Sequence, residues 1–182
     1  MKNTFLSLVL STLLIAGAAQ AEDSSATLNI TGTVTGDLAA SCSVALSQYS
    51  IAVSENMEYV IDQGTMNYAG SGPLLHVYYR DSGGANCSDL AAEGRLVYHF
   101  TGIADNADGT ALANTDTSAS AAKGLGIGIY DEGHNVIKLN SGTLAASSDG
   151  IDAFNLTMVR LTGQQAVGGT VTASLTIDIE RL

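Results

Sequence analysis

Histidine, aspartate and serine are the residues of this sequence that could bind a metal or carry out catalysis, and their spacing favours neither. His76, His99 and His134 lie on three separate segments and lack the short spacings of metal-binding histidines. The run DNADG at 105–109 resembles a calcium-binding loop only weakly, because it lacks the ligand spacing and the closing bidentate glutamate. No Gly-x-Ser-x-Gly segment marks a nucleophilic serine. We therefore predict no catalytic residue, no metal site and no cofactor, and we interpret the histidines as outward-facing strand or turn residues.

The beginning of the chain has the features of an export signal. A positive charge at Lys2, an apolar run over 5–19 and the small-x-small sequence AQA at 19–21 predict a secretory signal peptide at residues 1–21. Without that segment, six Lys and Arg residues oppose eighteen Asp and Glu residues, for a net charge of −12. This balance argues against nucleic acids and anionic membranes as partners.

The two cysteines bear on stability rather than on catalysis. In an exported chain an even number of cysteines favours a disulfide, here between Cys42 and Cys87, although two free buried thiols remain an alternative. The bond would close a loop of about 46 residues and would stabilise the fold by roughly 4 kcal/mol.

The elements that must position these residues are predicted to be β-strands. Short segments of alternating apolar and polar residues, separated by Gly-rich turns, are typical of strands with one buried face. These segments are 42–46, 49–53, 57–61, 74–79, 96–100, 125–129, 154–161 and 171–179. Small polar residues dominate from Thr101 to Gly124, which indicates a long surface loop with room for one short strand. A change of alternation predicts a β-bulge near Met158. Since no segment has convincing helical periodicity, we predict an all-β fold, an immunoglobulin-like β-sandwich.

A further stretch of alternating residues precedes the first cysteine. Its apolar face carries Ala26, Leu28, Ile30, Gly32 and Val34, whereas asparagine and threonine occupy the other face. A glycine within an apolar row indicates that another backbone or a bulky side chain comes close. Alternation alone is compatible with an ordinary first strand or with a strand that completes the fold of another molecule.

Three features, in order along the chain, resemble the chaperone–usher pilins, the subunits of type 1 and P pili of Gram-negative bacteria. The sequence ITGTV at 30–34 resembles the apolar-x-Gly-x-apolar centre of that family's N-terminal extension. Cys42 and Cys87 match the family's single disulfide in order and approximate spacing. Gly169, fourteenth from the end, precedes an alternating C-terminal strand. Where these subunits usually carry Tyr or Phe at the penultimate position, this chain has Arg181.

The resemblance implies a sandwich that lacks its last strand and keeps an open groove beside the C-terminal strand. It implies that residues 22–37 are a donor-strand extension and residues 38–182 the pilin domain. The residues implied to form the C-terminal strand, which lines the groove and meets the chaperone, are Gly169, Val171, Ala173, Leu175, Ile177, Ile179 and Leu182. The donor residues implied are Ala26, Leu28, Ile30, Gly32 and Val34.

The function implied by the resemblance is that of a structural fimbrial subunit, polymerised by donor-strand exchange and supporting bacterial adhesion. Its expected partners are a periplasmic chaperone, an outer-membrane usher and neighbouring subunits, and its expected location is the cell-surface fimbrium. The alternative is a self-contained or capping secreted adhesin domain that binds a host ligand. A self-contained domain would need no strand from a neighbour, so the occupant of the groove distinguishes the two hypotheses.

Overall fold

The computed structural model describes residues 25–30, 41–66 and 72–182. The strands are β1 (Ser25–Ile30), β2 (Ser41–Leu46), β3 (Ser50–Ser54), β4 (Ile61–Asp62), β5 (Leu74–Ser82), β6 (Leu96–Gly102), β7 (Leu112–Ala113), β8 (Leu125–Asp131), β9 (Thr143–Ala145), β10 (Ile151–Arg160) and β11 (Val171–Arg181). A short helix, α1 (Cys87–Ala92), lies between β5 and β6. Within these residues no helix is long and apolar enough to span a membrane. The predicted signal peptide, residues 1–21, lies outside the described residues.

Two β-sheets pack face to face around one apolar core. The first sheet has the order β3-β1-β11-β6-β9, and the second has the order β2-β5-β10-β8-β7, with β4 beside the end of β10. Phe100 from the first sheet meets Phe154 from the second edge-to-face, with ring centroids 5.3 Å apart. Both side chains are fully buried. This architecture confirms the prediction of an immunoglobulin-like β-sandwich.

The predicted bulge near Met158 is wrong. β10 pairs with β8 in an unbroken register over the whole of this stretch. Val159 and Leu161 change parity because they are buried on the outer face of the second sheet, in a separate small cluster with Ala111 and Tyr130. The alternation rule assumes one buried face for each strand, and here the loop before β8 covers part of the other face.

The helix α1 was not predicted, because its six residues are too few to establish a helical period. The side-chain oxygen of Asn86 accepts a hydrogen bond from the backbone N–H of Asp89 at 3.4 Å, which caps the first turn. Cys87 starts the helix and is fully buried. Its bond to Cys42, with sulfurs 2.04 Å apart, confirms the predicted disulfide and attaches α1 to the first residues of β2.

The polar segment 101–124 begins with the last two residues of β6 and continues as a loop that contains the short strand β7. Asp105 organises its first part and is buried. One oxygen of its carboxylate accepts from the N–H groups of Ala107 at 2.7 Å and Asp108 at 3.1 Å. The other accepts from the N–H of Ala111 at 3.0 Å and from the side-chain amide of Gln63 at 2.8 Å. The carboxylate is therefore occupied by donors of its own chain.

This arrangement predicts an acid-sensitive contribution from Asp105 to stability. Burial raises the pKa of its carboxyl group, but the donors from Ala111, Ala107, Gly109 and Gln63 outweigh burial, so the pKa is lowered below its usual value. A lowered native pKa stabilises the fold above the unfolded value, near pH 4, and this stabilisation is lost as the pH falls through the native pKa. We expect Asp105→Asn to reduce stability at neutral pH by about 1–3 kcal/mol.

The pH dependence gives the sharper measurement for Asp105. Urea unfolding at pH 7 and at steps below pH 4 should show a smaller loss of stability on acidification in Asp105→Asn than in the parent chain. An equal loss in both chains would mean that the lowered pKa of Asp105 does not contribute.

Candidate strand-binding groove

The first sheet has room for one strand between β3 and β11, and β1 fills this position. Apart from β1, no strand among the described residues joins these two strands. Two strand spacings separate them, roughly 10 Å. Without β1, the domain formed by residues 41–182 would have a groove whose walls are β3 and β11.

Both walls of the groove direct apolar side chains into the core. Val171, Ala173 and Leu175 on β11 are buried, and Ile51 and Val53 on β3 are nearly as buried. The other three residues of β3 are exposed. An occupant therefore has to be a strand that is apolar at every second residue.

In this structure the occupant is β1 of the same chain. β1 runs parallel to β11 and antiparallel to β3. The register places Ala26 opposite Val171, Leu28 opposite Ala173 and Ile30 opposite Leu175. On the other side Ala26 and Leu28 lie opposite the buried Val53 and Ile51. The predicted apolar row is thus in register with the buried rows of both walls.

The expectation of a sandwich that keeps an open groove is therefore not met in this structure, because β1 of the same chain lies between β3 and β11. In a single chain, β1 is the available segment with the required alternation, so it satisfies the polar edges and apolar walls of its own groove. Gly32 and Val34, the remaining two residues of the predicted donor row, lie outside the described residues.

The backbone of β11 offers hydrogen-bonding groups to the groove. The N–H of Thr172 donates to the Asn114 side chain at 2.9 Å, and its C=O accepts from the N–H of Thr115 at 2.7 Å. Both contacts are on the side away from β1. Because backbone groups of successive strand residues point to opposite edges, those of Val171 and Ala173 face β1. Without an occupant these groups would lose their partners.

Asn114 supports the first residues of β11. Besides accepting from Thr172, its side-chain oxygen accepts from the N–H of Asp116 at 3.0 Å. Its amide nitrogen donates to the carbonyls of Ala122 and Thr170, each at 3.0 Å. Two of these four bonds, with Thr170 and Thr172, connect the long loop to the start of the groove wall, and the other two lie within the loop.

We expect Asn114→Ala to destabilise the fold by about 2–4 kcal/mol, since it removes four hydrogen bonds and leaves backbone groups unpaired. The matched control is Asn106→Ala in the same loop, because Asn106 is exposed and accepts one bond, from Gln164 at 2.7 Å. The control should lose less than about 1 kcal/mol. Urea unfolding monitored by circular dichroism measures both, and equal losses would contradict the supporting role of Asn114.

The start of β11 is fixed by close backbone contacts and by an acidic side chain. A Cβ atom on Gly169 would lie 2.3 Å from the carbonyl oxygen of Ser120, so a larger residue does not fit there without movement. The N–H of Thr170 donates to that same carbonyl at 2.8 Å. The hydroxyl of Thr170 donates to Asp116, and this bond, together with donors from Ser118, lowers the pKa of Asp116.

The end of β11 lies over the disulfide. Ile177 is fully buried and Ile179 is partly buried. Arg181, the departure from the pilin pattern, is exposed, and its guanidinium lies 3.8 Å from the sulfur of Cys42. The N–H of Leu182 donates to the carbonyl of Arg95 at 3.0 Å, and its side chain is exposed. Leu182 is therefore accessible at the edge of the domain.

The three histidines lie apart from one another on β5, β6 and the turn after β8. Across the described part of the chain, no three His, Cys, Asp or Glu side chains form a group that could hold a metal ion. A surface cavity of about 350 Å³ lies beside the long loop and includes Asp105, Asn114 and Gln164 in its lining. Because the polar groups of these three residues are bonded within the chain, the cavity does not present a set of free donors and acceptors.

Comparison with models of known protein families identifies the family to which this domain belongs. The model of the family described as "Fimbrial protein" matches residues 84–180, more than half of the chain. The chain belongs to the fimbrial protein family. The matched range of this fimbrial chain includes Cys87, Asn114 and nearly all of β11, but not β1 or β3.

Two curated fimbrial proteins are similar to parts of the chain. Long polar fimbria protein A of Salmonella typhimurium is 39% identical over 62 residues, which cover 32% of this chain and 34% of that protein. The probable major fimbrial subunit LpfA of Escherichia coli O157:H7 is 49% identical over 43 residues, which cover 24% of each chain. The fimbrial chain thus spans about a third or less of the length of these relatives.

Sequence reasoning found the apolar wall of β11 but missed its polar support. Asn114, Thr115 and Ser120 all lie in the segment predicted as a surface loop. The available signal was the composition of that loop, which is rich in Asn, Asp, Ser and Thr, the residues whose short side chains bond to nearby backbone. Composition does not indicate which distant strand such a loop supports.

Proposed function

We propose that this chain is a structural subunit of a chaperone–usher fimbria and that it polymerises by donor-strand exchange. In this process the residue 26–34 segment of one subunit enters the groove between β3 and β11 of the next. Head-to-tail contacts of this kind do not close on themselves, so they give an open fibre. Addition of a strand to an exposed sheet edge is an established mode of recognition, and donor-strand complementation of pilins is one of its known examples.

The position between β3 and β11, which β1 of the same chain fills in this structure, is the observation that carries this proposal. It requires a strand with apolar residues at every second position, and the chain carries such a segment outside the loop closed by Cys42 and Cys87. The family membership and the fimbrial names of the two relatives support the same conclusion.

The partners of such a subunit follow from the same need. Before assembly an open groove exposes apolar walls and an unpaired edge, both of which promote aggregation. We propose that a periplasmic chaperone covers the groove, that an outer-membrane usher receives the complex, and that the product is a cell-surface fimbrium of a Gram-negative bacterium that supports adhesion.

A self-contained adhesin domain is the second candidate, and the location of β1 in its own groove favours it. Such a domain would be stable alone and would not need a neighbour's strand. The two candidates differ in whether residues of β1 are required for polymerisation or only for the stability of the monomer.

The test introduces the same charge on opposite faces of β1. We expect Ile30→Asp to abolish incorporation into fibres, because burial of a carboxylate opposite an apolar wall is strongly unfavourable. The matched control, Asn29→Asp, adds a carboxylate on the polar face and should retain incorporation. Both variants are expressed with the cognate assembly proteins, and surface fibres are quantified by immunoblot of sheared material. Normal incorporation of Ile30→Asp would overturn the proposed exchange.

A further inference from the structure

Glu55 and Thr157 form a buried hydrogen bond that joins the end of β3 to the second sheet. Glu55 directly follows the last residue of β3 and is 8% exposed, and Thr157, in the second half of β10, is 2% exposed. The hydroxyl of Thr157 donates to Oε2 of Glu55 at 3.2 Å. With Asp105, they are the buried polar residues in the part of the chain that the structure describes. Asp105 organises the long loop, so this pair requires a separate explanation.

A buried carboxylate gives this position a directional contact. Burial of a carboxylate is costly unless it is hydrogen-bonded, whereas an apolar side chain carries no such penalty. Apolar contacts are non-directional, so they allow a strand to shift along its neighbours. A hydrogen bond tolerates only a narrow range of distance and angle. The bond between Glu55 and Thr157 therefore fixes the point at which β3 ends relative to β10.

β3 needs such a fixed point because its backbone pairing comes from the strand in the groove. In the described part of the chain it pairs only with β1. Ile51 and Val53 face the core, and the other three residues are exposed. A shift by one residue would turn Ser50, Ala52 and Ser54 toward the core instead. While the groove changes its occupant, contacts with the second sheet have to maintain the register of β3.

The chain beyond Glu55 remains attached to the same strand of the second sheet. Ile61 and Asp62, which form β4, lie opposite Val159 and Arg160 of β10. This pairing begins six residues after Glu55, so it holds the connection rather than the groove wall. The bond from Glu55 lies much closer to the wall, one residue after the end of β3.

We propose that Glu55 is a positioning residue for strand exchange, whose bond to Thr157 keeps β3 in register while the groove changes its occupant. This inference rests on the proposed function, since exchange is the step in which β3 loses its partner strand. A wall that is already in register loses less conformational freedom when a strand enters. Glu55 acts through β3 and makes the groove ready to accept the incoming strand.

A set of variants separates this role from general stability. Glu55→Ala removes the acceptor, whereas Glu55→Gln keeps a carbonyl oxygen that can accept from Thr157. Asp105→Asn alters another buried carboxylate, which lies outside both walls of the groove, and so controls for a loss of stability alone. Thr157→Val removes the donor at similar volume and repeats the test if Glu55→Ala does not fold.

The first readout is hydrogen exchange of the full-length monomer, measured by mass spectrometry on fragments from β3 and β8. Exchange of the β3 amides should be at least about tenfold faster in Glu55→Ala, with a smaller change in β8, because the opening is local. Asp105→Asn should show no such excess in β3. Glu55→Gln should stay within about threefold of the parent chain.

The second readout is incorporation into fibres in the presence of the cognate assembly proteins. We expect a loss of at least about tenfold for Glu55→Ala and incorporation close to that of the parent for Glu55→Gln and Asp105→Asn. Equal acceleration of exchange in β3 and β8, or an equal loss of incorporation in Asp105→Asn, would overturn the positioning role. Unchanged incorporation of Glu55→Ala would also overturn it. A parent chain that forms no fibres would overturn the proposed function itself, and the role of Glu55 in exchange with it.

Discussion

A chain that starts at Leu38 and so lacks β1 is expected to lose its stable fold. Among the described strands, β3 pairs only with β1. Removal of β1 therefore leaves β3 without a hydrogen-bonded partner strand and leaves one edge of β11 unpaired. The register joins five residues of β1 to β11 and five to β3. About ten backbone hydrogen bonds at roughly 0.5–1.5 kcal/mol each amount to about 5–15 kcal/mol, comparable to the whole stability of a typical domain.

Rescue by a peptide separates loss of the strand from general damage. Circular dichroism should show a disordered or aggregated product for the truncated chain, and a synthetic peptide of residues 25–36 should restore the β signal and a cooperative unfolding transition. A peptide with Leu28 replaced by Asp is the control and should not rescue. A truncated chain that stays monomeric, with an unfolding midpoint close to that of the full-length chain, would show that the groove does not need an occupant.

Removal of the disulfide is expected to have the next largest effect on the stability of the fold. Cys42 and Cys87 are 45 residues apart in sequence and join the start of β2 to the start of α1. In the chain-entropy model this cross-link stabilises the fold by about 4 kcal/mol, a large part of the stability of a domain of this size. We expect Cys42→Ala/Cys87→Ala to lose about this amount in urea unfolding.

The parent chain measured under reducing conditions is the matched control for the disulfide. It lacks the cross-link but keeps both sulfur atoms, so the difference between it and the double variant reports the buried side chain of Cys87. The free energies of unfolding of the reduced parent chain and of the double variant should agree to within about 1–2 kcal/mol. A loss below about 1 kcal/mol in both would mean that the unfolded chain gains little freedom without the bond.

The sequence predicted those features that depend on periodicity. Alternation from Val171 to Ile179 identified β11 and its buried row, and the predicted export of the chain made a bond between Cys42 and Cys87 the natural expectation. Alternation failed at Val159, where a loop covers the second face of the strand. The pattern assigns a residue to a face but does not indicate whether that face is covered.

Features that depend on distant contacts were beyond such reasoning. Asn114 bonds to Thr170 and Thr172, which are more than fifty residues later in the sequence. Likewise, the alternation at residues 26–34 shows that this segment needs two apolar neighbours, but not which chain supplies them. Only the pairing of β1 with β3 and β11 revealed that its own chain meets the requirement.

The most direct test of strand transfer combines a chain that can only accept with one that can donate. A chain starting at Leu38 has the groove but no donor segment. Coexpression with the full-length chain and the proposed periplasmic chaperone, which covers the donor's own groove so that β1 is free, should give a complex in which the truncated chain accepts one strand and donates none. Size-exclusion chromatography with mass analysis should then find the truncated and full-length chains in a one-to-one ratio, and Ile30→Asp in the full-length chain should abolish this complex. Recovery of the truncated chain as a stable folded monomer, with no complex at any ratio, would contradict the account.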